Sequence, residues 1–162
     1  MSDAELQQLT IQISKYLLKH HLLLSVAESC TGGWVAKCCT DIAGSSTWFD
    51  RGVVSYSNQA KQDLLNVQDS TLTEFGAVSE QTALEMAQGC LSNSNADIAV
   101  SITGIAGPDG GSRDKPVGTV WIAWASKKSA KAVLHHFSGN RDAVRRQAVS
   151  TALSGIIKNA SD

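Results

Sequence analysis

The chain has 162 residues, of which 43% are hydrophobic, and its formal net charge is -1 at pH 7. This length predicts a single domain over residues 1–162 with one sizeable core. Basic residues form nothing longer than the pairs Lys127-Lys128 and Arg145-Arg146, which argues against nucleic acid as a partner. No apolar run approaches the roughly 20 residues of a membrane-spanning helix, so we expect no membrane partner either.

The cysteines indicate reduced thiols rather than a metal site or a disulfide framework. They are Cys30, Cys38, Cys39 and Cys90. Their positions show neither Cys-x-x-Cys spacing nor a histidine at metal-ligand spacing, so we expect no metal and no cofactor. The first residues lack the pattern of a secretory signal segment, and we therefore expect a cytoplasmic protein.

Helical and strand patterns alternate along the chain. Spacings of three and four between apolar residues predict an amphipathic helix over 4–20, and the apolar run that follows predicts a buried strand over 22–27. The remaining predicted elements are helices over 33–42, 59–65, 80–91 and 141–159 and strands over 51–57, 98–103, 118–125 and 132–137. Asn58 and Ser79 are the predicted N-caps of the third and fourth helices.

The order of these elements predicts the fold class. Only a few mostly polar residues separate the last two strands, so we expect them to form an antiparallel hairpin. Helices that alternate with strands, followed by one late hairpin, indicate an α/β protein with three α/β/α layers and a mixed sheet in a single domain.

Three polar segments follow predicted strands and are candidates for one pocket. Ser29 follows the first strand, the segment 56–61 ends the second, and Thr103 with the glycine-rich loop 104–111 follows the third. In open α/β sheets, ligands bind outside the carboxyl ends of the strands. If these three strands run parallel, the three segments therefore converge.

Ser29 and Cys30 are alternative nucleophiles. A thiol attacks more readily, whereas a hydroxyl needs a base beside it. Neighbouring side chains in extended chain point to opposite sides, so we expect only one of the two to face the pocket. Ser29 is alternatively a turn residue, and Cys30 a buried apolar residue. Glu28 either orients a neighbour, acts as a base or stabilises the start of the following helix.

A serine–histidine–aspartate triad is disfavoured. The histidines occur only as His20-His21 and His135-His136, and no Gly-x-Ser-x-Gly motif surrounds the serine. His135 and His136 stay alternative candidates for the base that activates Ser29.

Lys61 is the favoured base for Ser29. It lies in the first turn of a predicted helix, whose positive end disfavours a charged ammonium. To act near neutrality, its pKa must fall well below the usual value of about 10.4, which requires desolvation. Tyr56 is a candidate to relay a proton or to hydrogen-bond the lysine. The alternative interpretations are a solvated lysine and a packed aromatic residue.

Two further features suit a phosphorylated ligand. The loop 104–111 fits no known phosphate-binding glycine motif, but its glycines allow backbone to approach a ligand closely. Arg141 and Arg145 lie four residues apart on one helical face, and a planar guanidinium suits phosphate or carboxylate. The alternatives are a mobile surface turn for the loop and pairing with Asp142 for the arginines.

Six motifs follow one another along the chain. They are AESCTGG at 27–33, YSN at 56–58 with Lys61, GAVS at 76–79, SITGIAGPDGG at 101–111, KPVGTV at 115–120 and GNRDAVR at 139–145. In this order they resemble the nicotinamide-nucleotide amidohydrolases, which are stand-alone relatives of the C-terminal domain of CinA competence-damage proteins. The resemblance spans nearly the whole chain.

The resemblance implies hydrolysis of the carboxamide of nicotinamide mononucleotide to nicotinate mononucleotide and ammonia. Carried over to this sequence, Ser29 is the nucleophile, Lys61 its base and Tyr56 a supporting group. Related proteins imply a homodimer. Longer CinA proteins carry an additional N-terminal domain, and we expect the pyrophosphatase activity associated with that domain to be missing here.

We expect the remaining substrate-binding residues to act in two groups. Backbone N–H groups around Cys30, Thr31 and Gly32 are candidates to hold the developing oxyanion. The expected contacts to the nucleotide are Thr103, Gly104, Gly107, Arg141 and Arg145. Arg145 and the loop 104–111 are the candidates to hold the phosphate and the ribose. Two rival functions remain: a nucleotide-binding adaptor or sensor that turns nothing over, and an amidase that uses Cys30.

Overall fold

A computed structural model describes residues 1–160 of the chain. The helices are α1 (Asp3–His20), α2 (Trp34–Thr40), α3 (Asn58–Leu65), α4 (Asp69–Phe75), α5 (Glu80–Ser92) and α6 (Arg141–Ala160). The strands are β1 (Leu24–Glu28), β2 (Phe49–Val54), β3 (Ile98–Gly104), β4 (Thr119–Ser126) and β5 (Ala130–His136), and a short 3-10 helix spans Ser45–Thr47.

The strands form one five-stranded mixed sheet in the order β2-β1-β3-β4-β5. Strand β1 lies between β2 and β3 and runs parallel to both. Strand β4 is antiparallel to β3 and forms an antiparallel hairpin with β5. The predicted fold class and hairpin are therefore confirmed. The carboxyl ends of β1, β2 and β3 meet at the same edge, as the convergence of the polar segments requires.

Helices cover both faces of the sheet, with large apolar residues on one face and small ones on the other. Val26, Val100 and Ile122 pack with α1, α2 and α6 in the larger core. Ala99 and Ala123 lie on the opposite face, where they pack beneath α5. The small side chains let α5 lie close to the central strands.

Three local predictions were wrong. The N-cap of α3 is Ser57 rather than Asn58, because the Ser57 hydroxyl accepts a hydrogen bond from the N–H of Ala60 at 3.0 Å. Strand β2 begins earlier and ends earlier than the predicted 51–57. Helix α4 was not predicted; its seven residues begin without a side-chain cap at Gln68.

None of the helices within residues 1–160 is long and apolar enough to span a bilayer.

We predict that Gly89→Ala lowers the free energy of unfolding by about 1–3 kcal/mol or more. A Cβ at Gly89 in α5 would lie 1.8 Å from the carbonyl oxygen of Leu65, the last residue of α3, so one backbone must move. Urea denaturation measures the effect. The exposed Gln88→Ala on the same helix is the matched control, with an expected change within about 0.5 kcal/mol. Equal stabilities of the two variants would contradict the close packing of α3 on α5.

Candidate active site

A cavity of about 260 Å³ opens at the carboxyl ends of the three parallel strands. It is lined by Ser29, Cys30, Tyr56, Asn58, Lys61, Ala77, Val78, Thr103, Gly104, Ile105, Ala106, Gly107, Asp109, Gly110 and Arg141. The structure thus brings together the three segments that follow β1, β2 and β3.

Ser29 and Lys61 meet in the floor of this cavity. The Nζ atom of Lys61 lies 3.1 Å from the Oγ atom of Ser29, which is hydrogen-bond distance. The N–H of Ser29 donates to the carbonyl oxygen of Ile102 in β3 at 3.0 Å, which holds the serine at the end of β1. Both side chains are buried, with 8% of Ser29 and 1% of Lys61 exposed.

The amine of Lys61 faces neutral groups. Besides Ser29, it reaches the carbonyl oxygens of Ser55 at 2.9 Å and Tyr56 at 3.4 Å. No ion pair involves this lysine within the described residues. Burial lowers the pKa of Lys61 from the usual lysine value, because an ammonium loses its hydration there. The arrangement therefore favours the neutral amine, which is a base.

Glu28 shapes the turn that carries the serine. Its buried carboxylate accepts hydrogen bonds from the N–H groups of Gly33 at 3.0 Å, Val35 at 3.2 Å and Ala36 at 2.8 Å. These donors belong to the start of α2, where an anion is stabilised by free N–H groups and by the helix dipole. Of the alternatives for Glu28, the contacts favour the one at the helix start.

The residues after Ser29 differ in accessibility. Ser29 and Cys30 both line the cavity, so the expectation that only one of them faces it was wrong. Burial raises the pKa of the Cys30 thiol to about 11, so this thiol is protonated near neutrality. Thr31 is fully buried and its hydroxyl has no hydrogen-bond partner among the described residues. The N–H of Gly32 donates to the carbonyl oxygen of Ser29 at 3.1 Å and closes the turn.

Tyr56 contacts the amine of Lys61 through its main-chain carbonyl and not through its hydroxyl. The hydroxyl accepts a hydrogen bond from Nη2 of Arg141 at 3.0 Å, and the side chain is 60% exposed. Nη1 of the same arginine donates to the carbonyl oxygen of Gly107 at 2.8 Å. Arg141 thus bridges the tyrosine to the glycine-rich loop at the rim of the cavity.

Thr103 and Gly104 form part of the wall. The hydroxyl of Thr103 donates to the carbonyl oxygen of Ala77 at 2.7 Å and holds the loop between α4 and α5 against the cavity. A Cβ at Gly104 would lie 2.6 Å from the Val120 side chain and 2.8 Å from the carbonyl oxygen of Thr119. Only glycine therefore fits there without movement of β4.

Arg145 does not line this cavity. Its guanidinium donates to the carbonyl oxygens of Cys30 and Thr31 from the other side of the turn. It lines a separate cleft of about 490 Å³, together with Gly32 and Trp34. The two arginines that the sequence groups together on one helix face therefore reach different surfaces.

Seven lining residues are not among the site residues predicted one by one from the sequence. They are Asn58, Ala77, Val78, Ile105, Ala106, Asp109 and Gly110. Asn58 is predicted only as a cap, Ala77 and Val78 lie in a motif without an assigned role, and the other four belong to the glycine-rich loop 104–111. None of the described lining residues is a histidine, and His135 and His136 lie on β5 at the far edge of the sheet. Among residues 1–160, no three potential metal-ligating side chains cluster as a site.

Fold and cavity together define an α/β protein in which a serine hydroxyl and a buried lysine amine meet at the carboxyl ends of parallel strands. The CinA C-terminal domain model matches residues 6–160, and the chain belongs to this family. The chain is 56% identical to nicotinamide-nucleotide amidohydrolase PncC of Escherichia coli K12 over 154 residues, which cover 94% of this chain and 93% of that protein.

Solved structures share the fold. The competence/damage inducible protein CihA of Agrobacterium tumefaciens is 44% identical with a TM-score of 0.93, and the match covers 97% of this chain and 96% of that one. A CinA superfamily protein of Escherichia coli is 36% identical with a TM-score of 0.93, over 98% and 93% of the two chains. The resemblance stated from the sequence motifs is thereby confirmed.

We predict that Glu28→Gln lowers the free energy of unfolding by about 1–3 kcal/mol. An amide cannot accept hydrogen bonds at both of its ends, so at least one N–H at the start of α2 loses its acceptor. Urea denaturation provides the measurement. Glu80→Gln is the matched control, because Glu80 is an exposed acid in the first turn of α5. A Glu28→Gln protein as stable as this control would show that the carboxylate does not hold the turn.

Proposed function

We propose that this chain hydrolyses the carboxamide of nicotinamide mononucleotide to nicotinate mononucleotide and ammonia, with Ser29 as nucleophile and Lys61 as base. The names of its close relatives support the substrate. The single observation that carries the mechanism is the 3.1 Å contact between a serine hydroxyl and a buried lysine without an ion pair in the described part of the chain.

The surroundings of Lys61 suit a base that takes the serine proton. A neutral amine has two N–H bonds and one lone pair. The carbonyls of Ser55 and Tyr56 are placed to accept the two N–H bonds, which leaves the lone pair for the hydroxyl of Ser29. As Lys61 takes that proton, Oγ attacks the amide carbon and a tetrahedral oxyanion forms.

The remaining steps return the proton and release the acid. The ammonium of Lys61 gives its proton to the leaving nitrogen, the carbon–nitrogen bond breaks, and ammonia departs from a serine ester. Water then attacks the ester carbon while Lys61 accepts a proton from the water. The ester bond breaks, Ser29 recovers its proton from Lys61, and the carboxylic acid leaves.

Backbone N–H groups are the candidates for oxyanion stabilisation. Of the three residues expected to contribute, Gly32 already donates its N–H to the carbonyl oxygen of Ser29. We therefore assign the oxyanion to the N–H groups of Cys30 and Thr31.

We assign the phosphate to Arg141 and the rest of the nucleotide to the walls of the cavity. Arg141 and Lys61 are the two cationic side chains among the described lining residues, and Lys61 is occupied with Ser29. The guanidinium of Arg141 lies at the rim with Tyr56 and Gly107, where an extended nucleotide would end. Thr103 and Gly104 then border the ring and ribose. The homodimer and the cytoplasmic location stay predictions.

We predict that Ser29→Ala reduces ammonia release from nicotinamide mononucleotide by at least about 10³-fold, because no other group replaces the attacking oxygen. Cys30→Ala is expected to retain turnover within about tenfold of wild type. A coupled ammonia assay provides both rates. The opposite pattern would make Cys30 the nucleophile, whereas tight binding of the nucleotide without ammonia from wild type would favour the adaptor function.

We predict that kcat/KM for ammonia release rises with pH along a limb whose midpoint lies below the usual lysine value of about 10.4. The base must be neutral, and burial lowers the pKa of Lys61, so its neutral fraction grows as pH rises through that lowered value. Rates from about pH 5 to pH 10 test this. Lys61→Met is expected to lose the activity and the limb, and the exposed Lys15→Met to keep both. A midpoint at or above 10.4 would argue against Lys61 as base.

A further inference from the structure

Arg145 makes an unusual contact for an arginine next to a nucleotide site, because both of its acceptors belong to the backbone. Its Nε atom donates to the carbonyl oxygen of Cys30 at 3.1 Å, and its Nη2 atom donates to the carbonyl oxygen of Thr31 at 2.8 Å. The two acceptors are consecutive carbonyls of the turn that follows Ser29. One planar guanidinium from α6 thus holds two neighbouring peptide groups.

A second contact fixes the guanidinium itself. The Cζ atom of Arg145 lies 5.2 Å from the ring centroid of Trp34, the first residue of α2, within the range of a cation–π interaction. The guanidinium therefore lies over the first residue of α2 while it donates hydrogen bonds to the turn between Ser29 and Gly32. This geometry leaves little freedom for the peptides between Ser29 and Gly32.

The orientation of these peptides decides where their N–H groups point. In a trans peptide the C=O and the N–H point in opposite directions. The carbonyl of Cys30 shares its peptide with the N–H of Thr31, so a carbonyl turned toward Arg145 turns that N–H away from it. Arg145 borders the cleft beside Gly32, whereas Ser29 and Cys30 line the reaction cavity.

We propose that Arg145 is a positioning residue that sets the Thr31 N–H toward the developing oxyanion by holding the carbonyls of Cys30 and Thr31. The inference rests on the proposed function. It replaces the expectation that Arg145 holds the phosphate, because Arg145 lies outside the cavity lining and donates to the carbonyl oxygens of Cys30 and Thr31. It also assigns the two arginines different effects: Arg141 on substrate affinity and Arg145 on the rate of the bound complex.

The test separates kcat from KM in ammonia release from nicotinamide mononucleotide. Arg145→Ala is expected to lower kcat by about 10²-fold, the usual cost of one oxyanion donor, with KM within about threefold of wild type. Arg145→Lys is expected to stay at least about tenfold below wild type, because an ammonium lacks the two-pronged fork. Arg146→Ala is the matched control: Arg146 lies 4.9 Å from the same Trp34 ring but pairs with Asp3. Arg146→Ala is expected to keep the kcat and the KM of the wild type.

A binding measurement keeps the test decisive if catalysis is too slow to resolve. Calorimetry compares nicotinamide mononucleotide binding to Ser29→Ala and to Ser29→Ala combined with Arg145→Lys, and affinities within about threefold are expected. Weaker binding, a raised KM at unchanged kcat, or full activity of Arg145→Lys would overturn the inference and return Arg145 to phosphate binding. Wild-type protein that releases no ammonia would instead remove the proposed function, and the inference with it.

Discussion

A lysine amine buried without a counter-ion is the constraint on which the site depends. A charged ammonium in such a place loses hydration worth several kcal/mol, and hydrogen bonds to neutral groups compensate for that loss less than an ion pair does. Within residues 1–160, Lys61 instead faces two carbonyl oxygens and the hydroxyl of Ser29. Burial thus lowers the pKa of Lys61 and disfavours its charged form, which costs stability. Under the proposed function, that cost maintains a base beside Ser29.

The parallel part of the sheet brings the side chains of Ser29 and Lys61 together. Strand β1 lies between β2 and β3, so the chain that leaves its carboxyl end is held on both sides. The N–H of Ser29 donates to Ile102 in β3, and the carbonyl of Glu28 accepts from the N–H of Ser55 at 2.8 Å. Ser55 then turns its own carbonyl to Lys61. Backbone hydrogen bonds at the carboxyl ends of the strands therefore set the distance between Oγ of Ser29 and Nζ of Lys61.

The sequence predicts most of the helices and strands and the proximity of Ser29 and Lys61. It does not predict which neighbouring groups the side chains of Arg141 and Arg145 contact. The strand-end rule brought Ser29 and Lys61 together, because it depends only on strand order and polarity. Periodicity did not reveal α4, which is short and uncapped. The four-residue spacing places Arg141 and Arg145 on one helix face. It does not specify which hydrogen-bond acceptors each guanidinium contacts. The sequence makes Tyr56 a candidate to relay a proton or to hydrogen-bond the lysine. It does not indicate that the contact runs through the main-chain carbonyl, because that depends on the path of the backbone after β2.

Helix α6 connects the rim of the cavity to the turn after Ser29. Residues four apart on a helix lie one above the other, about 6 Å apart. Although Arg141 and Arg145 are this close, they donate hydrogen bonds to different segments. Arg141 bonds to Gly107 and Tyr56, and Arg145 bonds to the turn after Ser29. Both arginines bind backbone carbonyls, so a displacement of α6 along its axis shifts the rim of the cavity and the turn together. Under the proposed function, a ligand that draws Arg141 inward therefore acts on the same helix that holds the peptide groups beside Ser29.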